Sequence, residues 1–152
     1  CCCLLHQSTD DAVTQLQAFR GLLRLRTSVE FAIANVYGHL LPDKRFDNLY
    51  HLAGCDPRKT LAVDFEFSSG AGFPMHYDQK PVVQLAFAYS ALLVREDGSE
   101  VAVRRLRVHT RKVDVARDPS QLYAHVQADI VLSQLTHQII HESLDKGIEV
   151  RA

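Results

Sequence analysis

The stretch Val82–Val94, VVQLAFAYSALLV, constrains this fold most, because both of its alternating faces are largely apolar. Large Val83, Leu85, Phe87, Tyr89 and Leu93 fall on one side and smaller Ala86, Ala88 and Ser90 on the other. It is too short to span a bilayer, which takes about 20 apolar residues. Period-two reading therefore makes it the middle strand of a sheet, covered on both faces. Asp97-Gly98 follows, a pair that tolerates the positive φ of a tight hairpin turn, so a partner strand is expected over 100–113. These two strands commit the chain to an antiparallel sheet.

The other segments extend this sheet on both sides. Residues 9–19 place Val13, Leu16 and Phe19 at helical spacing behind Asp10 and Asp11 in the first turn, which predicts a short helix. After Gly21 the period becomes two: Leu23, Leu25 and Thr27 alternate with Leu22, Arg24, Arg26 and Ser28, and a second run spans 31–37. The two strands join near Val29 and Glu30. Residues 38–59, with Pro42, Gly54 and Pro57, read as a long connection holding one extended piece around 49–52. In 61–67, Leu61, Val63, Phe65 and Phe67 form an apolar face, with Asp64 and Glu66 turned to water. Gly70, Gly72, Pro74 and Pro81 mark 68–81 as a loop. Asp118-Pro119 is a helix start, Asp as N-cap and Pro at the first helical position. Apolar residues recurring at three and four from Leu122 to Ile139 then predict one long helix ending near Gly147. The expected class is α+β: an antiparallel β-sandwich with a short N-terminal helix and a long C-terminal helix.

Seventeen Lys and Arg against eighteen Asp and Glu give a net charge of −1, so no whole-molecule field steers nucleic acid, and none is expected as a partner. Cys1, Cys2, Cys3 and Cys55 fit neither a secretory disulfide framework nor a C-x2-C zinc spacing, which favours a reducing compartment. No signal peptide is visible, and the lack of an initiator Met marks the chain as an expected fragment or processed product. His137 and His141 stand one helical turn apart, as two zinc ligands would. A zincin needs Glu directly after the first His, where Gln138 stands, and the inverted form needs Glu before the second, where Ile140 stands. An exposed helix face explains them better, and no metal site or catalytic residue is assigned. Asp64 and Glu66, about 7 Å apart on one strand face, are within glycosidase range, but a solvated strand face explains them better. The feature that stands out is cationic. In 104–112, Arg105, Arg107, His109 and Arg111 share one face, and Arg24 and Arg26 share a face of an earlier strand. The row is expected to pair with Asp64 and Glu66 or to face lipid phosphates or acidic peptide signals.

The segments AFRGLLRLRTS, NVYGHLL, AGCDPRKTLAVDFEF, SALLV, RRLRVHT and LYAHVQADIVL resemble, in that order, the inner-layer subunits of the COPII vesicle coat. The likeness runs from about Leu16 to Leu144 and is nearer to the cargo-adaptor member (the Sec twenty-four type) than to its GTPase-activating sister. It implies the end of a trunk-like helix over 1–20, a β-sandwich over 21–116 and the start of a helical domain over 117–152. The family's zinc site lies outside this stretch, so no cofactor is expected. Loop 68–81 and turn 94–103 look longer than the family's. Some of the family's sandwich strands come from before the trunk, so one sheet edge is expected to be open. The implied role is structural and cargo-binding, in transport from endoplasmic reticulum to Golgi, by a cytoplasmic protein peripheral on the reticulum membrane and its vesicles. Implied partners are the GTPase-activating subunit, cargo and SNARE sorting signals and the anionic membrane surface. Arg24 and Arg26 are the candidates for reading acidic sorting signals, and Arg105, Arg107 and Arg111 for the anionic surface. The alternatives are a small metal-dependent hydrolase using His137 and His141 and a free-standing β-sandwich interaction module.

Overall fold

A computed structural model describes residues 18–56, 59–70 and 80–146. Seven strands and two helices follow in order: β1 (Ala18–Thr27), β2 (Phe31–Tyr37), β3 (Leu41–Pro42), β4 (Leu49–Cys55), β5 (Ala62–Phe67), β6 (Val82–Val94), β7 (Glu100–Lys112), α1 (Pro119–Ala124) and α2 (Ala128–Lys146). Five strands form one sheet in the order β3-β4-β1-β6-β7, and β2 and β5 form a second. Every pairing is antiparallel. Leu23, Leu25, Leu85, Phe87 and Tyr89 of the larger sheet meet Val63, Ile33, Val36 and Phe65 of the smaller one, which makes the two-layer core. Within it the Phe87 and Tyr89 rings stack with centroids 5.0 Å apart, and Phe31 meets Phe65 edge-on at 5.3 Å.

Two local devices shape β1. Arg20 has φ 52, and the register with β6 shifts between Phe19 and Leu22, a bulge that re-aims the strand. Next to it, Gly21 has no room for a side chain: a Cβ there would lie 3.0 Å from Phe87 Cε2 and 3.1 Å from Leu52 Cβ. The hairpin turn forms at Asp97-Gly98 as expected, with Gly98 at φ 79 and the Arg95 N–H donating to Ser99 O at 2.9 Å.

Several expectations change. The helix expected over 9–19 lies mostly outside the described residues, and its last two, Ala18 and Phe19, are in β1, paired with Ala91 and Ser90. Strand β6 lies inside the sheet, but among the described residues no second layer covers its Gln84–Ala86–Ala88–Ser90 face. Those small side chains are half-buried, flanked by their neighbours on β1 and β7. The connection between β2 and β5 contains two strands, β3 and β4, rather than one extended piece. The long C-terminal helix is two helices. Asp118 caps α1 by accepting from Gln121 N–H at 2.9 Å. The His125 ring Nδ1 then takes the Gln121 carbonyl at 2.8 Å, the acceptor that the next helical N–H would use. The His125 and Val126 N–H groups fall back to Leu122 and Tyr123 three residues earlier, and the helix stops. The expected end at Gly147 is outside the described residues.

Candidate functional site

Strand register settles where the cations sit. In β1, Arg24 stands opposite Ala86 and Arg26 opposite Gln84, while Leu23 and Leu25 stand opposite Phe87 and Leu85. Both arginines are thus on the outer face of the five-stranded sheet. Arg26 Nη1 donates to Gln84 Oε1 at 3.0 Å, and Gln84 Nε2 donates to Thr110 Oγ1 at 3.0 Å, a polar chain across three strands. Leu106 and Val108 share this outer face, 66% and 52% exposed, beside Arg104, whose Nη1 donates to Arg20 O at 2.6 Å.

The second group points the other way. Arg105, Arg107, His109 and Arg111 stand opposite Tyr89, Phe87, Leu85 and Val83, all on the core side of β6. The expected shared face is therefore real, and Arg107 Nε donates to Tyr89 OH at 3.1 Å from that side. The face of β7 extends past the two-stranded layer, leaving His109 and Arg111 exposed and Arg105 and Arg107 half-buried. Arg24 and Arg26 on one face and Arg105, Arg107 and Arg111 on the other cannot contact one small ligand together.

The expected pairing of the row with Asp64 and Glu66 does not form. The ion pairs given by the described residues are His51 with Asp43, at 2.7 Å, and Lys80 with Asp114. Glu66 is exposed. Asp64 is not on a solvated face, because α2 lies across that side of β2–β5. Its carboxylate accepts from Tyr37 OH at 2.7 Å, from Gln138 Nε2 at 2.9 Å and from Gln134 Nε2. The bond to Asp64 is the main reason the Tyr37 hydroxyl titrates above its ordinary 10.0, with burial and the carboxylate charge adding to it.

The two candidate histidines belong to the same contact. His137 Nε2 lies 3.3 Å from Thr60 Oγ1, and the His141 ring meets Tyr37 edge-on at 5.3 Å. Among the described residues no three His, Cys, Asp or Glu side chains gather as a metal site would need. Gln134 and Gln138 are the residues that the sequence reading missed. Their signal was present: with His137 and His141 they form a polar stripe at three-and-four spacing, opposite the apolar one. Cys1, Cys2 and Cys3 lie outside the described residues. Cys55 is a free thiol on β4 whose pKa burial pushes up, against the opposing pull of Lys59.

The strand order and facing cores define a β-sandwich. Residues 18–116, from the first residue of β1 to just before α1, match the Sec23/Sec24 beta-sandwich domain, and the chain belongs to that family. The Arabidopsis thaliana protein named "Protein transport protein SEC23 D" is 37% identical over 164 residues, covering 95% of this chain and 22% of its own length. The crystal structure of the human COPII-coat protein Sec24c superposes with a TM-score of 0.63 at 20% identity, over 81% of this chain and 15% of that one. The chain thus spans a minor part of each relative, and the second likeness is one of fold. Nothing in these comparisons or in the placement of His137 and His141 indicates a hydrolase.

Proposed function

We propose that this chain is the β-sandwich and adjoining helical part of a COPII-coat subunit and acts in protein transport from endoplasmic reticulum to Golgi by binding rather than catalysis. The match of residues 18–116 to the Sec23/Sec24 sandwich domain carries this reading. The protein works on the cytoplasmic side of the reticulum membrane as a peripheral component, and no described helix is long and apolar enough to cross a bilayer. Tagged full-length protein should gather at reticulum exit sites. A uniform cytoplasmic distribution under conditions that recruit the coat would contradict the reading.

In this role Arg24 and Arg26 read acidic sorting signals of cargo and SNARE proteins on the outer sheet face. A guanidinium fork meets a carboxylate with two parallel hydrogen bonds, and the half-buried stem of Arg24 holds its head in place. Arg105, Arg107 and Arg111 meet anionic headgroups from the opposite face, where none is engaged in an ion pair among the described residues. The chain boundaries follow the same reading with one shift: β1 begins at Ala18, so the trunk-derived residues end before it, the sandwich runs to 116 and the helical domain starts at 117. The exposed stripe of Leu132, Leu135 and Ile139 on α2 supports its place at the start of that domain. No cofactor is assigned to these residues.

The segments SALLV, RRLRVHT and LYAHVQADIVL favour the cargo-adaptor type, whose partner is the GTPase-activating subunit. A second reading, that the chain is of the GTPase-activating type itself, is favoured by its 37% identity to a protein named SEC23 D. The two readings differ in the partner each protein recruits.

A further inference from the structure

Helix α2 lies on the sandwich with the wrong face inward for a core helix. Gln134, Gln138 and His141 meet Asp64 and Tyr37 on β5 and β2, His137 meets Thr60 just before β5, and Ile130 is half-buried one turn earlier, while Val131, Leu132, Leu135, Ile139, Ile140 and Leu144 are 45–80% exposed. Apolar burial is what fastens most helices to a sheet, and it is almost missing here. In its place the contact centres on the Asp64 carboxylate. Asp64 gathers Gln134 and Gln138 from the helix and Tyr37 from β2, and Tyr37 in turn carries His141 on its ring.

The route from the sandwich to α2 is equally lightly held. Val113 N–H donates to Pro81 O at 2.8 Å and Asp114 pairs with Lys80, the last ties to the sheet before α1 among the described residues. Beyond them α1 has no buried residue, and the 125–127 break separates it from α2. A polar interface on a slack connection is the construction of parts that move relative to one another.

We propose that Asp64 is a latch: α2 docks and releases as a body against β2–β5, with the carboxylate and its two glutamine donors setting the docked fraction, while the sandwich stays folded. Release costs little apolar surface, since the inward face is mostly polar, and water can solvate the freed carboxylate, hydroxyl and amides. The moving body swings on 115–118 and keeps its apolar stripe facing outward in both positions.

Hydrogen exchange on the full-length protein tests this with the double variant Gln134→Ala/Gln138→Ala. Both changes raise intrinsic helix propensity, so any loosening of α2 reflects lost docking and not a weaker helix. The expected result is exchange at least about tenfold faster across 130–143, with amides of β1 and β6 unchanged. Asp64→Asn, which keeps the shape of the side chain but weakens all three acceptor bonds, should move the same amides in the same direction. Unchanged α2 exchange in the double variant would overturn the proposal. So would a parallel loss of protection in α2 and β6, since helix and sandwich would then open as one unit. Should Asp64→Asn unfold the sandwich, the helix-side variant alone decides.

Discussion

Proline substitution at two adjacent positions of β7 tests the sheet order through single hydrogen bonds. The Val113 N–H donates to Pro81 O at one end of the β6–β7 ladder, and the Arg95 N–H to Ser99 O at the other. The register between them is unbroken, from Val82 opposite Lys112 to Val94 opposite Glu100. Antiparallel alternation then points the N–H groups of odd-numbered residues 101–111 at β6 and those of even-numbered residues 102–112 away from it. Strand β7 ends the order β3-β4-β1-β6-β7, so among the described residues the even-numbered groups face no strand. Val108→Pro should therefore cost at most about 1 kcal/mol, because its N–H leaves no ladder bond and its side chain is already 52% exposed. His109→Pro, one residue on, removes the bond to Leu85. The lost bond is worth about 0.5–1.5 kcal/mol and the orphaned carbonyl about 1–3, so about 2–4 kcal/mol in sum. Against the cost of up to about 1 kcal/mol at 108 the difference is about 1–4 kcal/mol, and at roughly 2–4 °C per kcal/mol for a chain of this size the two melting points should lie on the order of 2–16 °C apart. Thermal melts of the 152-residue chain followed by far-ultraviolet circular dichroism would read it. Equal losses, or the larger loss at 108, would place β7 inside a sheet and refute the order.

Four further outcomes follow. Gly38 has φ 129, and a Cβ there would lie 2.6 Å from Leu61 Cδ2, so Gly38→Ala should destabilise by about 1–3 kcal/mol in urea titration; a neutral result would remove the strain. The His51 side chain, then the Arg45 and Phe46 N–H groups, hold the Asp43 carboxyl below its ordinary 3.8. A depressed carboxyl contributes stability that is complete above the unfolded-chain value and is lost as pH falls through the folded one. Protection of the Arg45 and Phe46 amides, relative to their intrinsic exchange rates, should therefore fall only under acid below the usual carboxylate range, and loss of protection between pH 5 and 8 would contradict the assignment. Replacing Arg24 and Arg26 together in the full-length protein should cut packaging of acidic-signal cargo, by more for Ala than for Lys, and unchanged packaging would sink their role. Charge reversal at Arg105, Arg107 and Arg111 should weaken flotation with anionic liposomes, more so at low salt, and independence from all three would remove the membrane contact.

What could be read from the sequence was what neighbouring residues determine. The alternation of Val82–Val94, the Asp97-Gly98 turn and the Asp118 cap each depend on a few adjacent positions, and each stands where it was expected. Period two also put Arg105, Arg107, His109 and Arg111 on one face. It could not say that β1 lies between β4 and β6, which is what turns Arg24 and Arg26 to the opposite side, because strand pairing joins residues about 60 positions apart. The helix misled for a different reason. Its apolar stripe is genuine, but a stripe reads as a core face only when the core is underneath it, and here the glutamine and histidine side meets the sheet. Asp64 looked solvated for the same reason, since no local pattern reveals a helix arriving 70 residues later.

A part of a COPII-coat subunit should travel with the coat's other inner-layer subunit. Affinity purification of the tagged full-length protein should bring down the GTPase-activating subunit in stable, near-equal amounts, as the adaptor reading requires. Recovery of a cargo-adaptor subunit in its place would overturn the adaptor assignment in favour of the GTPase-activating type. Recovery of neither would contradict the coat account itself and leave the Sec23/Sec24 sandwich as shared architecture alone.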